Sequence, residues 1–312
     1  MAVTTQPSRR QVSDRRLVQF FIIPTLILLI LMNVFPLIFS LFVSFTNYKA
    51  RSGVSPVWVG LENYKDVLSS ELVWHSFAFT GRYALISVSL QMLVGFGLAM
   101  LLKEKFKGSG LLTTLILIPM MLSPAVIGQF WEGIFNPLTG PFNYIFGFSD
   151  PNTAPRWTAD HRYAIWAIII ADVWMWSPFV MLLALAGLSA IPDYLYEAAS
   201  IDRASAWFQF RRITLPQVMP LLLIALLFRT IEALKQFDLV MGLTSGLPSV
   251  ALDTTPPVSA YATETVSVHL FRLAGPQQDL MGKVSAMGYI VLIAIIAISN
   301  IYIRALNRIR ES

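Results

Sequence analysis

The chain has no cysteine, three histidines, and only 13% charged residues among its 312. Without cysteine, disulfides, thiolate metal sites and cysteine nucleophiles are excluded, while the redox compartment stays undetermined. His75, His161 and His269 lie too far apart in sequence for a metal motif, so each is expected to be solvent-facing or interfacial. No GxxxxGK[ST] phosphate loop occurs, and there is no HExxH, DDxxD or paired His, so an obvious catalytic set is missing. What is abundant is apolar: 55% of the residues are hydrophobic and the mean hydropathy is +0.63. Those values point to a membrane protein. The net charge of +5 does not indicate nucleic acid, because the basic residues are scattered among apolar runs and form no stripe.

A membrane-crossing helix needs about 20 mostly apolar residues, and runs of that kind begin near Leu17, Phe77, Leu111, Tyr163, Leu215 and Val284. The expected fold class is therefore all-α, a polytopic membrane protein of about six spans. The first run follows Arg9, Arg10, Arg15 and Arg16 and stays apolar as far as Val43, too long for the core of a cleaved signal peptide, so it reads as a retained anchor. Residues 1–16 read as a short polar tail and 17–312 as one membrane domain. Alternate connections carry Lys103, Lys105 and Lys107, then Arg203, Arg211 and Arg212, then Arg304, Arg308 and Arg310. The other connections are longer yet poorer in Lys and Arg, which predicts both termini on the cytoplasmic side. The longest outer segment, Asp238 to Lys283, contains the breakers "SGLPS" and "DTTPP" and a short interfacial helix expected around Val266 to Leu273.

Pro119 and Pro124 should each remove a backbone hydrogen bond, so the third run is predicted to be kinked or broken, either lining a cavity or simply packing. Gly95 with Ala99, and Gly282 with Ala286, are expected to let neighbouring helices approach closely.

Between the fourth and fifth runs lies "EAASIDRASAWFQFRRITLPQVMP", which carries five charges where the chain is otherwise apolar. Pro192 suits a first helical turn, so "DYLYEAASID" is predicted to be a short helix. A bend is expected near Arg203 to Ser205, and then a second short helix, "WFQFRRITLP", turning at Pro216 into the fifth span. Such a cytoplasmic helical hairpin suits a docking surface for protein; the alternative is an interfacial loop anchored by Trp207, Phe208 and Phe210.

Glu197, Ala198, Ala199, Asp202, Ile213, Leu215, Pro216 and Pro220, in that order, resemble the EAA loop of permease subunits in binding-protein-dependent ABC importers. The chain is most similar to the carbohydrate-uptake group that includes maltose and glycerol-phosphate permeases, through "SFTNY", "VGLENYKDVL", "LIPMMLSPAVIGQFW" and "FRTIEALKQFDLVMGLTSG" as well. The resemblance implies a type I ABC importer permease fold in a bacterial or archaeal inner membrane. It also implies a second permease subunit, two ATPase subunits holding ATP and Mg, an extracytoplasmic solute-binding protein, and no cofactor on this chain. Within residues 190–216 it assigns ATPase coupling to Glu197, Ala198, Ala199, Asp202, Arg203, Leu215 and Pro216. Arg203 departs from the family, which usually has Gly there, so either the bend is geometrically ordinary or Arg203 makes its own contact.

Ionisable groups inside a membrane mark candidate pathways. Asp172 is the deepest, and Trp176, four residues on, shares its helical face, whereas Trp174 should point elsewhere. Gln129, Glu132, Glu232 and Gln236 are candidates to bond hydroxyls, although Glu132 and Lys235 also suit the membrane interface. The resemblance implies a sugar, an oligosaccharide or a polyol as solute. An ion-coupled secondary transporter is the alternative, since buried acids also serve ion coupling.

Overall fold

The computed structural model describes residues 14–311 apart from Lys105, Ser149, 151–153, Pro248 and 253–257. Arg9 and Arg10, with most of the expected tail, and the "DTTPP" stretch thus lie outside the described residues. In chain order the helices are α1 (Asp14–Leu29), α2 (Phe35–Ser44), α3 (Glu62–Ser69), α4 (Glu71–Leu102), α5 (Ser109–Leu117), α6 (Pro124–Ile134) and α7 (Pro141–Ile145). There follow α8 (His161–Ser189), α9 (Asp193–Ile201), α10 (Ala206–Gln209), α11 (Leu215–Leu234) and α12 (Asp238–Leu243). A two-stranded antiparallel hairpin, β1 (Ser249–Leu252) with β2 (Val258–Tyr261), precedes α13 (Val266–Ala274) and α14 (Met281–Glu311). The all-α class holds, and the strands are confined to the long segment after the fifth span.

Among the described residues five stretches are long and apolar enough to cross a membrane: Gln19–Ser44, Glu71–Leu102, His161–Ser189, Ala206–Leu234 and Met281–Arg308. The remaining expected run, from Leu111, is broken as its prolines predict. After α5, Pro119 opens a 3₁₀ turn (Pro119–Met121), and Leu122 and Ser123 are extended before Pro124 starts α6. Ser123 has the extended backbone favoured before proline, whereas Ile118 before Pro119 stays helical, and a proline carries no N–H, so it restarts a helix more readily than it continues one.

Proline also shapes two of the unbroken stretches. π-turns span Ile30–Val34 and Phe210–Thr214, ahead of Pro36 and Pro216. A helical proline ring strikes the carbonyl four residues back, here Met32 and Arg212, and each of these lies inside the widened turn. The backbone therefore passes Pro216 without turning, which corrects the expected second short helix: α10 runs through the π-turn into α11 as one rod from Ala206 to Leu234.

α4, α8 and α11 pack together as the centre of the molecule. A Cβ on Gly95 of α4 would stand 2.5 Å from the Ser177 carbonyl and 2.6 Å from Val180 Cβ on α8, so only glycine permits this approach. Gly282, at the start of α14, lies against the Thr46 carbonyl in the same manner. Both small-residue pairs thus serve packing. The first span points its side chains away from the rest of the chain until Val43 and Ser44, which are buried. It is fastened to α14 by Tyr289, whose hydroxyl donates to the Leu37 carbonyl.

At the end opposite α9, Asp279 accepts the N–H groups of Ala50 and Arg51 at 3.0 and 2.7 Å, and Thr265 caps α13. His161 is exposed, but His269 is not the surface residue expected: it is buried, with Nδ1 3.3 Å from Glu264 Oε1. Arg272 Nε approaches the same oxygen at 3.6 Å, so the carboxylate has two basic neighbours.

Candidate functional site

Two regions stand out chemically, one at the turn between α8 and α11 and one in the middle of the apolar rods.

At the turn, α9 starts after Pro192 and carries its apolar side inward. Leu195 and Tyr196 pack on the buried cluster of Ala184, Leu188 and Ile191, with Ile213 and Leu215 on its other flank. The Tyr196 hydroxyl lies 2.9 Å from Thr214 Oγ1 in the π-turn, and the Lys103 ammonium sits 4.2 Å above the Tyr196 ring. A cation so placed over an aromatic face is attracted by the ring quadrupole. Phe96 and Phe210 bring α4 into the same contact, their ring centroids 6.1 Å apart. The hairpin is thereby held on all three central rods.

Its other side is bare. Glu197 and Ala198 are exposed, as are the large side chains Tyr194 and Ile201 at 63% and 83%. Beside them Ala199, Asp202, Ala204, Ser205 and Phe208 line a concavity of about 480 Å³. Leu215 is half-buried in the core contact, whereas Pro216 is exposed.

The bend after α9 is a complete Schellman motif. The Ala204 N–H reaches back to the Ala199 carbonyl at 2.9 Å and the Arg203 N–H to Ser200 at 3.1 Å, which places Arg203 in the left-handed position with φ of 56°. The bend is therefore not geometrically ordinary, and glycine is the residue that enters it without a Cβ penalty. Arg203→Gly should favour the closed bend by about 1 kcal/mol. The corresponding observation is an about fivefold slowing of hydrogen exchange at the Ala204 amide, and an unchanged rate would show the bend to be free of strain.

In the middle of the rods Asp172 is fully buried and Arg229 is 2% exposed. Asp172 Oδ2 accepts Ser87 Oγ at 2.5 Å and Gln91 Nε2 at 2.7 Å, while Gln91 Oε1 accepts Arg229 Nε at 2.8 Å. Arg229 Nη2 stands 3.5 Å from Asp172 Oδ1, and its guanidinium carbon lies 4.3 Å over the Trp176 ring. The Tyr83 hydroxyl, one turn back on α4, faces Asp172 and the Gln236 side chain. Pairing and hydrogen bonding of this kind are what allow two charges to stay buried.

The structure thus gathers three of the sequence candidates, Asp172, Trp176 and Gln236, and separates the others. Trp174 points elsewhere, as its spacing requires, stacked on Phe130 at 6.2 Å and edge-on to Trp131 at 5.7 Å. Gln129 and Glu132 are exposed on α6, Glu132 at the rim of a concavity of about 450 Å³ shared with Gly242, Thr244 and Ser245. Glu232 is exposed and bonded to Lys235 at 2.9 Å. Sequence reasoning missed Arg229. The available signal was one basic residue inside the fifth span and one acidic residue inside the fourth, each expensive in a membrane unless paired.

Residues 91–311 match the family described as binding-protein-dependent transport system inner membrane component. The chain is 37% identical over 244 residues to the trehalose/maltose transport system permease protein of Thermococcus litoralis, covering 78% of this chain and 82% of that one. It is 30% identical to the sulfoquinovosyl glycerol transport system permease protein of Agrobacterium fabrum, covering 94% and 91%. Among solved structures, a chain of a bacterial ABC transporter involved in import of the acidic polysaccharide alginate superposes with a TM-score of 0.79 at 20% identity, over 96% of this chain and 98% of that one.

Proposed function

The chain belongs to the family of binding-protein-dependent transport system inner membrane components, and from that premise we propose that it is one of two permease subunits of an ATP-driven sugar importer. It spans the inner membrane of a bacterium or archaeon with both termini cytoplasmic, and it shares the translocation pathway with a second, different permease. ATP and Mg²⁺ are held by two partner ATPase subunits, and a solute-binding protein delivers the solute from outside. The solute is a sugar, an oligosaccharide or a polyol, a class in keeping with the relatives that carry trehalose, maltose or sulfoquinovosyl glycerol.

The observation that carries this reading is the hairpin. It is anchored through Tyr196, Thr214 and Phe210, yet it presents Glu197, Ala198, Ile201 and a concavity that no described residue covers. Exposed apolar side chains beside small residues and an acid suit a docked protein surface better than water. Glu197, Ala198, Ala199, Asp202 and Arg203 meet the ATPase, while Leu215 and Pro216 seat the hairpin on its rod. On the pathway, Asp172, Trp176 and Gln236 form the inner group, and Trp174, Gln129, Glu132 and Glu232 are the exposed candidates outside it.

The ion-coupled alternative needs a membrane-internal acid that is essential for coupling, and the deepest one is Asp172. That carboxylate is already engaged by Ser87, Gln91 and Arg229, which disfavours a cation-coupling role.

The test uses the lack of native cysteine. A single Cys at Ala199 and another on the cleft of the ATPase should form a disulfide in membranes, and its yield should change with ATP. No cross-link at Ala199, Ala198 or Ile201 in an assembled complex would return the segment to an interfacial loop.

A further inference from the structure

We infer that Asp172, Arg229, Gln91 and Ser87 form a positioning tie that makes both stems of the hairpin move as one body with α4. This rests on the hairpin being the element that the ATPase displaces. α8 enters the hairpin and α11 leaves it, so any displacement there must travel along these two rods.

The rods are fastened near the hairpin by Tyr196 to Thr214, Phe96 to Phe210 and Lys103 over Tyr196. One fastening leaves two rods free to splay or swivel at their far ends. Asp172 lies 17 residues before the end of α8, roughly 25 Å along a helix rising 1.5 Å per residue, so the buried cluster is a second fastening well removed from the first.

The chemistry of that second fastening is directional. Gln91 of α4 is held at both ends of its amide, donating to Asp172 of α8 and accepting from Arg229 of α11. Ser87, one turn away on α4, donates to the same carboxylate oxygen as Gln91. Apolar side chains in contact tolerate a small slide or roll, whereas hydrogen bonds weaken steeply with misalignment. This network therefore fixes the depth and rotation of three rods at once. Separating Asp172 from Arg229 would leave two unpaired charges in a low-dielectric interior, so the tie stays closed while the rods move. Among the described residues Gln91 and Ser87 bridge to this network from α4, with the Tyr83 hydroxyl of the same helix close to the Asp172 carboxylate.

The experiment places two single-Cys reporters, separately, in complexes of this chain with its ATPase in proteoliposomes. One is Cys at Ala199, read as ATP-dependent cross-linking to the ATPase; the other is Cys at Glu71, exposed at the far end of α4, read as the rate of labelling by an impermeant maleimide with and without ATP and vanadate. With the tie intact, both should respond to ATP. In D172A/R229A the hairpin response should persist, and the far-end response should fall at least fivefold in the same assembled complexes. Should that variant not co-purify with the ATPase, D172L/R229M serves, because it removes both charges that the α4 amide and hydroxyl bind and keeps most of the volume. A purely structural role lowers the amount of complex and not the ratio of the two responses. An unchanged far-end response overturns the tie. Failure of the Ala199 cross-link with the tie intact overturns the docking reading instead.

Discussion

Glu197→Lys is expected to lower ATP-driven uptake about a hundredfold while leaving the chain folded. The side chain is exposed on the bare side of α9, and no hydrogen bond or ion pair of the described residues holds it. A surface substitution of that kind changes stability by about 0.5 kcal/mol or less. At an interface the arithmetic differs. Losing a paired charge costs about 2–5 kcal/mol, and where the ATPase meets Glu197 with a basic group, as the resemblance implies, reversal adds repulsion. At 1.4 kcal/mol per decade, about 3 kcal/mol gives the hundredfold loss. Two measurements separate the effects: the Tm of the purified chain should stay within about a degree, and ATPase co-purification should fall. Uptake and co-purification both at the parental level would remove Glu197 from the docking surface.

How much of this was legible in the sequence depends on whether a residue acts locally or across the fold. Pro119 and Pro124 broke the third run as expected, because their effect lies within a few residues of backbone. Pro216 was misread because a π-turn absorbs the clash, and nothing in "FRRITLP" distinguishes a widened turn from a stop. Asp172 and Trp176 share a face because helical periodicity alone decides that. That Arg229 completes the set follows from the relative depth of two rods 57 residues apart in sequence, which no local pattern encodes. His269 was misjudged although its partner is local: it is buried with Nδ1 3.3 Å from Glu264, five residues back in sequence. At Arg203 the sequence raised the right question, since glycine was expected, and only the backbone angle answers it.

The buried pair should show the largest effect on stability, and its sign depends on how many charges are removed. Arg229→Met alone leaves the Asp172 carboxylate with Ser87 and Gln91 but no counter-charge; Asp172→Leu alone leaves the guanidinium with Trp176 and Gln91. Breaking one partner of a buried ion pair costs about 3–5 kcal/mol, because the survivor remains desolvated and uncompensated. For a chain of this size that lowers Tm by on the order of 10 °C. D172L/R229M removes both charges and keeps most of the volume, and such replacements are commonly neutral or stabilising. The double variant should therefore melt within a few degrees of the parent, giving a coupling energy of about 3 kcal/mol or more across the cycle. Additive losses would mean that the two residues do not act as a pair. If the double variant regains Tm but not uptake, the network's directionality matters for motion, since packing alone would then have supplied the fold.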